Sequence, residues 1–89
     1  MIRKPISFPQ AVPLDRHSAA LLVQTASRYE SRLMIEHQAK IVNAKSMLGL
    51  LSLGSDAHTG LQLLAEGPDE AQAVAALEEL LASDAMKQL

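Results

Sequence analysis

The stretch Val42-Asn-Ala-Lys-Ser-Met-Leu-Gly-Leu-Leu-Ser-Leu-Gly54 decides the fold, because a strand passes into a short helix within it. Its first residues close a short run, residues 41–43, that is typical of a β-strand. Ser46 stands where a helix N-cap is expected, since a serine hydroxyl can accept a hydrogen bond from the first helical turn. The apolar residues after Ser46 predict a short helix, and we expect Gly54 to end it.

The residues before this stretch predict two further strands and one helix. Residues 2–8 are expected to form a strand near a sheet edge, because Pro5 and Pro9 cannot donate to a neighbouring strand. Asp15 is expected to cap the first helix. Residues 33–36 pair with residues 41–43 in a predicted hairpin. The apolar residues that recur at helical spacing in the first helix are Ala19, Leu22, Val23 and Ala26.

The residues after it predict a last strand and a last helix. Residues 60–66 alternate weakly and indicate the strand, and Asp69 in the Gly-Pro-Asp turn is expected to cap the helix. The buried face of that helix is predicted to hold Val74, Leu77 and Leu81. The order β-α-β-β-α-β-α predicts one α+β domain over residues 1–89. Its architecture is an open-faced sandwich, with a four-stranded antiparallel sheet and three helices on one side.

Composition excludes several function classes. The net charge of −2 and the presence of only two aromatic residues leave no basic or stacking surface for direct binding of nucleic acid. Cysteine is absent, and His17, His37 and His58 lie in no metal-ligand spacing, so we expect no metal and no cofactor. No stretch approaches the roughly 20 apolar residues of a membrane span. The sequence therefore predicts a cytoplasmic protein without membrane insertion.

Three stretches together resemble one protein family. They are the stretch quoted above, Leu22-Val-Gln-Thr-Ala-Ser-Arg-Tyr29, and Ala65-Glu-Gly-Pro-Asp-Glu-Ala71. They follow the order of the HPr phosphocarrier family of the bacterial sugar phosphotransferase system and need no gap. The chain is identified as a member of this family, and the resemblance implies the family's sheet of four antiparallel strands with three helices.

The resemblance breaks down at the carrier site. Family phosphocarriers have glycine, an aliphatic residue, histidine, alanine, arginine, proline and alanine there, whereas this chain has Pro-Leu-Asp-Arg-His-Ser-Ala at residues 13–19. Leu14 and Ala19 keep the register, so the carrier histidine is replaced by Asp15 and the arginine by His17. The resemblance thus implies a degenerate carrier site of Asp15, Arg16 and His17. It lacks the imidazole nucleophile and the arginine that would hold phosphoryl oxygens.

Two interpretations of this site remain open. Asp15 either caps the helix or forms an acyl phosphate, as carboxylates in other proteins do. His17 is either an ordinary surface histidine or a substitute carrier, although two helical positions turn its side chain about 200° away from that of Asp15.

The resemblance implies a regulatory role for Ser46 in addition to the helix cap. Spacing alone favours a helix cap, but Asn43, Lys45 and Gly49 match the family motif around a regulatory serine. In Gram-positive members a dedicated ATP-dependent kinase phosphorylates that serine. A phosphate there would meet the N–H groups of a helix start. The partner surface that we expect beside it consists of Ala20, Lys45, Met47, Leu48 and Leu51.

Two functions from different classes follow from the resemblance. The first is a non-enzymatic regulator similar to the Crh-type variants of the family, with HPr kinase/phosphorylase and a LacI-type transcription regulator as partners in carbon catabolite repression. The second is a working phosphocarrier that accepts phosphate from enzyme I on Asp15 or His17 and serves sugar permease components. A degenerate HPr-like domain of another pathway is a third possibility.

Overall fold

The computed structural model describes residues 1–7, 16–53 and 60–82, and their secondary structure follows the predicted order. The strands and helices, in chain order, are β1 (Ile2–Ile6), α1 (Arg16–Ala26), β2 (Arg32–His37), β3 (Lys40–Asn43), α2 (Met47–Leu51), β4 (Leu61–Glu66) and α3 (Glu70–Ala82). None of the helices in these three segments is long and apolar enough to cross a membrane.

The strands form one antiparallel sheet in the order β1-β4-β2-β3. β4 lies between the first two strands of the chain, so Leu63 is opposite Lys4 on one side and Ile35 on the other. β1 is an edge strand, as Pro5 predicts, because an edge leaves a residue without an N–H donor tolerable. The predicted antiparallel sheet is confirmed.

All three helices pack against one face of this sheet. Alternate residues of β2 and β4 are buried, whereas Met34 and Leu64, on the opposite face, are only half-buried. The helices bury their own apolar residues in the same cluster, which includes Leu22 of α1, Leu50 of α2 and Leu77 of α3. Ala19, Ala26, Val74 and Leu81 also lie in this core, as predicted. Val23 does not, because its side chain lies at the margin of the stripe, half-buried against the core.

Asp69 begins α3, but not by the side-chain cap that the sequence predicts. Its carbonyl oxygen accepts from the N–H of Ala73 at 3.0 Å. Its carboxylate instead accepts from the backbone N–H groups of Glu30 and Ser31, both at 2.9 Å, and from the Ser31 hydroxyl. These bonds favour the charged form, and the Ser31 hydroxyl contributes most to lowering the pKa of Asp69. The prediction of a local cap was wrong because donors 38 and 39 residues away compete for the same oxygens.

Gly67 allows this close approach of the α3 turn to β2. Its φ is +152°, and a Cβ atom built there would lie 2.6 Å from the Cα of Ser31. Both the backbone conformation and the lack of space therefore require glycine at this turn.

The end of α2 differs from the predicted one, and three other predictions concern residues that the structure does not describe. α2 ends at Leu51, and Ser52 closes it by donating its N–H to the carbonyl oxygens of Leu48 at 3.1 Å and Gly49 at 3.2 Å. The predicted stop at Gly54, the predicted cap at Asp15 and the end of the first strand at Phe8 lie outside the described residues.

Candidate functional site

Ser46 is held from both sides at the start of α2. Its φ of −113° and ψ of 116° are extended, its hydroxyl oxygen accepts from the N–H of Gly49 at 3.1 Å, and its carbonyl oxygen accepts from the N–H of Leu50 at 3.0 Å. On the other side, the N–H of Ser46 donates to the carbonyl oxygen of Asn43 at 3.0 Å. The predicted N-cap is confirmed.

Gly49 leaves room for this hydroxyl. A Cβ atom at Gly49 would lie 3.3 Å from the Oγ atom of Ser46 and 3.3 Å from the Cβ atom of Val42. Both contacts are tighter than ordinary van der Waals separation, so a larger residue would press on the serine hydroxyl. The glycine of the motif thus has a local structural reason.

The expected partner surface is exposed to different degrees. Leu48 projects into solvent with 81% of its surface exposed. Met47 and Leu51 are half-buried and pack against the core, while Leu50 and Leu53 lie inside it. Ala20 is half-buried on α1, which packs against α2. The structure therefore places one fully projecting side chain, Leu48, two residues after Ser46.

Lys45 has a contact that the sequence does not reveal. The side chain is half-buried, and its Nζ atom donates to the carbonyl oxygen of Tyr29 at 2.7 Å. Its backbone N–H donates to the Oδ1 atom of Asn43 at 2.8 Å. The sequence indicates the bond between Lys45 and Tyr29 only indirectly, because the last turn of α1 has no basic residue of its own.

The first turn of α1 carries the described part of the degenerate carrier site. Arg16 and His17 are exposed, whereas Ser18 and Ala19 are buried against the core. Asp15 lies outside the described residues. The first turn of α1 contains no acidic residue. Across residues 1–7, 16–53 and 60–82, no group of three or more histidine, cysteine or acidic side chains is arranged to hold a metal ion.

Comparison with known proteins identifies the family. The family model described as "PTS HPr component phosphorylation site" matches residues 4–83. The phosphocarrier protein HPr of Treponema pallidum is 36% identical over 80 residues, which cover 90% of this chain and 91% of that protein. The HPr-like protein Crh of Halalkalibacterium halodurans is 40% identical over 77 residues, which cover 86% of this chain and 92% of that protein.

Solved structures agree with this result. HPr-C-His from Thermoanaerobacter tengcongensis superimposes with a TM-score of 0.88 at 37% identity. The match covers 100% of this chain and 99% of the chain of that protein. Crh of Bacillus subtilis, crystallised as a domain-swapped dimer, gives a TM-score of 0.72 at 35% identity and covers 92% of this chain and 94% of its own. The chain therefore belongs to the HPr family, the phosphocarrier proteins of the phosphotransferase system.

Proposed function

We propose that this protein is a cytoplasmic regulatory member of the HPr family, switched by phosphorylation of Ser46. The observation that carries the proposal is the contrast between its two family sites. Ser46 keeps its hydroxyl, its helix-capping position and its neighbours Asn43 and Gly49. The carrier site has Asp15 in the position of the histidine, and a carboxylate repels the phosphoryl group that a carrier must accept.

The local geometry at Ser46 supports a modification that leaves the helix intact. Phosphoryl transfer joins the Oγ atom to the γ-phosphorus of ATP, breaks the bond to ADP, and passes the hydroxyl proton to the kinase. The hydroxyl is an acceptor towards Gly49 in the unmodified protein, and a phosphoryl oxygen can accept the same N–H. Phosphorylation would add between about −1.5 and −2 charges at the start of α2.

A partner protein would contact this charge together with the neighbouring apolar side chain of Leu48. Leu48 is 81% exposed, so a partner that covers it gains apolar burial only if it also accommodates the charge at Ser46. A partner that presents arginines should bind the phosphorylated form more tightly, and an acidic partner should bind it less tightly. The proposed partners are HPr kinase/phosphorylase and a LacI-type transcription regulator. Similarity to Crh of Bacillus subtilis, a catabolite repression protein, supports this choice.

A working phosphocarrier is the second candidate. It is favoured by the phosphocarrier from Treponema pallidum, similar over 90% of this chain, and by the exposure of His17 in the first turn of α1. In that case enzyme I would transfer phosphate from phosphoenolpyruvate to His17 or to Asp15, and sugar permease components would receive it.

Parallel phosphorylation reactions distinguish the two candidates. One sample receives HPr kinase and ATP, and the other receives enzyme I and phosphoenolpyruvate. Phosphate positions are mapped by mass spectrometry without acid, because acyl phosphates and phosphohistidine are labile. We expect phosphate on Ser46 in the first sample and no phosphate in the second. Phosphate on Asp15 or His17 from phosphoenolpyruvate, with Ser46 unmodified by the kinase, would establish the carrier instead.

A further inference from the structure

The hydrogen bond from Lys45 to Tyr29 joins two parts of the molecule that are distant in sequence. The Nζ atom lies 2.7 Å from a carbonyl oxygen 16 residues earlier, just beyond α1, and the side chain is half-buried. A bond with a charged donor, removed in part from water, is stronger than one between neutral groups at the surface. The ammonium of Lys45 therefore makes a structural contact within the fold and is not a fully solvated charge.

The position of this contact suits the end of a helix. The N–H groups of Arg28 and Tyr29 bond to the carbonyl oxygens of Thr25 and Ala26 at 3.3 and 3.2 Å, so the chain leaves α1 in a tightening turn. A helix C-terminus carries partial negative charge, and the last turn of α1 contains no basic residue. Lys45 brings its ammonium from the segment that enters α2 to a carbonyl oxygen in the turn that follows α1.

The same segment begins the site proposed above. The backbone N–H of Lys45 is bonded to the side chain of Asn43, and the N–H of Ser46 is bonded to its carbonyl oxygen. The side chain of Lys45 thus connects the turn after α1 to the turn that directly precedes Ser46. The expected partner surface combines Ala20 from α1 with Leu48 from α2, so its shape depends on how these two helices are held together.

We propose that Lys45 is a positioning residue, which fixes Ser46 and Leu48 relative to α1 through the carbonyl oxygen of Tyr29. Its ammonium acts on this internal carbonyl and not on a partner. The use of the expected partner surface by another protein rests on the proposed function. The contact between Lys45 and Tyr29 does not, so it can be tested in the unmodified protein.

Hydrogen exchange of single amides, measured by NMR, tests the contact without kinase. In Lys45→Met, which keeps the apolar stem and removes the donor, we expect the amides of Ser46, Leu50 and Tyr29 to exchange about three- to tenfold faster, the range that one net hydrogen bond represents. The amides of Ile35 and Leu63 in the sheet serve as an internal reference for global stability. Lys45→Arg, which keeps a charged donor, should restore most of the protection.

Lys40 provides a matched control. Its Nζ atom also donates to a backbone carbonyl oxygen, that of Ser52 at 2.9 Å, but it is exposed and makes no such bond to the end of α1. Lys40→Met should leave the exchange of the Tyr29 amide unchanged. Unchanged exchange of Tyr29 and Ser46 in Lys45→Met, or equal acceleration in both methionine variants, would overturn the proposal.

The salt dependence of phosphorylation separates positioning from direct contact. With HPr kinase and ATP as the probe, Lys45→Met should lower kcat/KM several-fold while the dependence of kcat/KM on salt stays that of the wild type. If Lys45 instead met the kinase directly, the variant would lose salt dependence and keep its amide protection, and the proposal would be wrong. Absence of any phosphorylation in the wild type would refute the proposed function, while the exchange experiment would still decide the role of Lys45.

Discussion

The substitution Ser46→Ala removes a helix cap whose contribution can be worked out from the structure. The hydroxyl satisfies the N–H of Gly49 at 3.1 Å, one of the four N–H groups at a helix start that have no partner within the helix. Loss of a serine cap costs about 1 kcal/mol, within a range of roughly 0.5–2 kcal/mol. In a domain of this size that corresponds to a fall in Tm of about 4–8 °C.

Ser46→Asn gives the comparison that isolates the cap. Asparagine caps helices about as well as serine, so we expect this variant to unfold within a few tenths of a kcal/mol of the wild type. Thermal unfolding followed by circular dichroism, with exposed Ser27→Ala as a control, measures all three variants. Equal stability of Ser46→Ala and the wild type, or equal losses in Ser46→Ala and Ser46→Asn, would refute the capping argument. Because Ser46→Asn lacks the hydroxyl and is expected to keep the helix cap, it also serves as the non-phosphorylatable control.

Three further predictions concern the core, the α3 turn and the carrier site. Leu77→Ala should lower the free energy of unfolding by about 2–5 kcal/mol in urea titration, because the side chain is only 2% exposed; a loss below about 1 kcal/mol would contradict its place in the core. The folded-state pKa of Asp69 lies below its ordinary value of 3.8, so the Asp69–Ser31 contact stabilises the fold fully above about pH 5 and is lost as the pH falls through the folded-state pKa. Asp69→Asn should therefore flatten the acid limb of a stability–pH curve, and an unchanged limb would refute the assignment. Asp15→His should restore little phosphate acceptance from enzyme I, because the arginine and proline partners of the family are also absent; carrier activity near that of a family phosphocarrier would show that the histidine alone is missing.

The element order was predictable because its signals are local. The alternation in β4, the helical spacing of Leu22 and Ala26, and the capping serine all reflect neighbours within a few residues. Such periodic patterns specify which face of a strand or helix is buried before its partner is known.

The errors have a common physical cause. Asp69 was predicted to cap α3 locally, yet its carboxylate bonds to groups far away in sequence, at Glu30 and Ser31. The bond from Lys45 to Tyr29 also joins distant residues, while the place of Lys45 in the expected partner surface stays a prediction. The choice between a local and a distant partner depends on how the helices and sheet pack. A single sequence does not show which distant residues this packing brings together. Val23 was misplaced for a related reason, since spacing gives the direction of the apolar stripe more reliably than its width.

The candidate site was predictable in part. The capping role of Ser46 followed from its position. Its proposed regulatory role rests on the resemblance to the family and not on local physical chemistry. The pattern could not rank Met47, Leu48 and Leu51 by exposure, because all three are apolar and lie within one short helix. Packing against the core covers much of Met47 and Leu51 and leaves Leu48 exposed.

The affinity of the protein for a LacI-type regulator, with and without phosphate on Ser46, tests the central claim most directly. Isothermal titration of the purified regulator with both forms, and with Leu48→Ala in its phosphorylated form, gives the three constants needed. We predict that phosphorylation raises the affinity about tenfold or more, a typical coupling between two states, and that Leu48→Ala loses most of this gain. Equal affinity of the phosphorylated and unmodified forms would contradict a switch at Ser46.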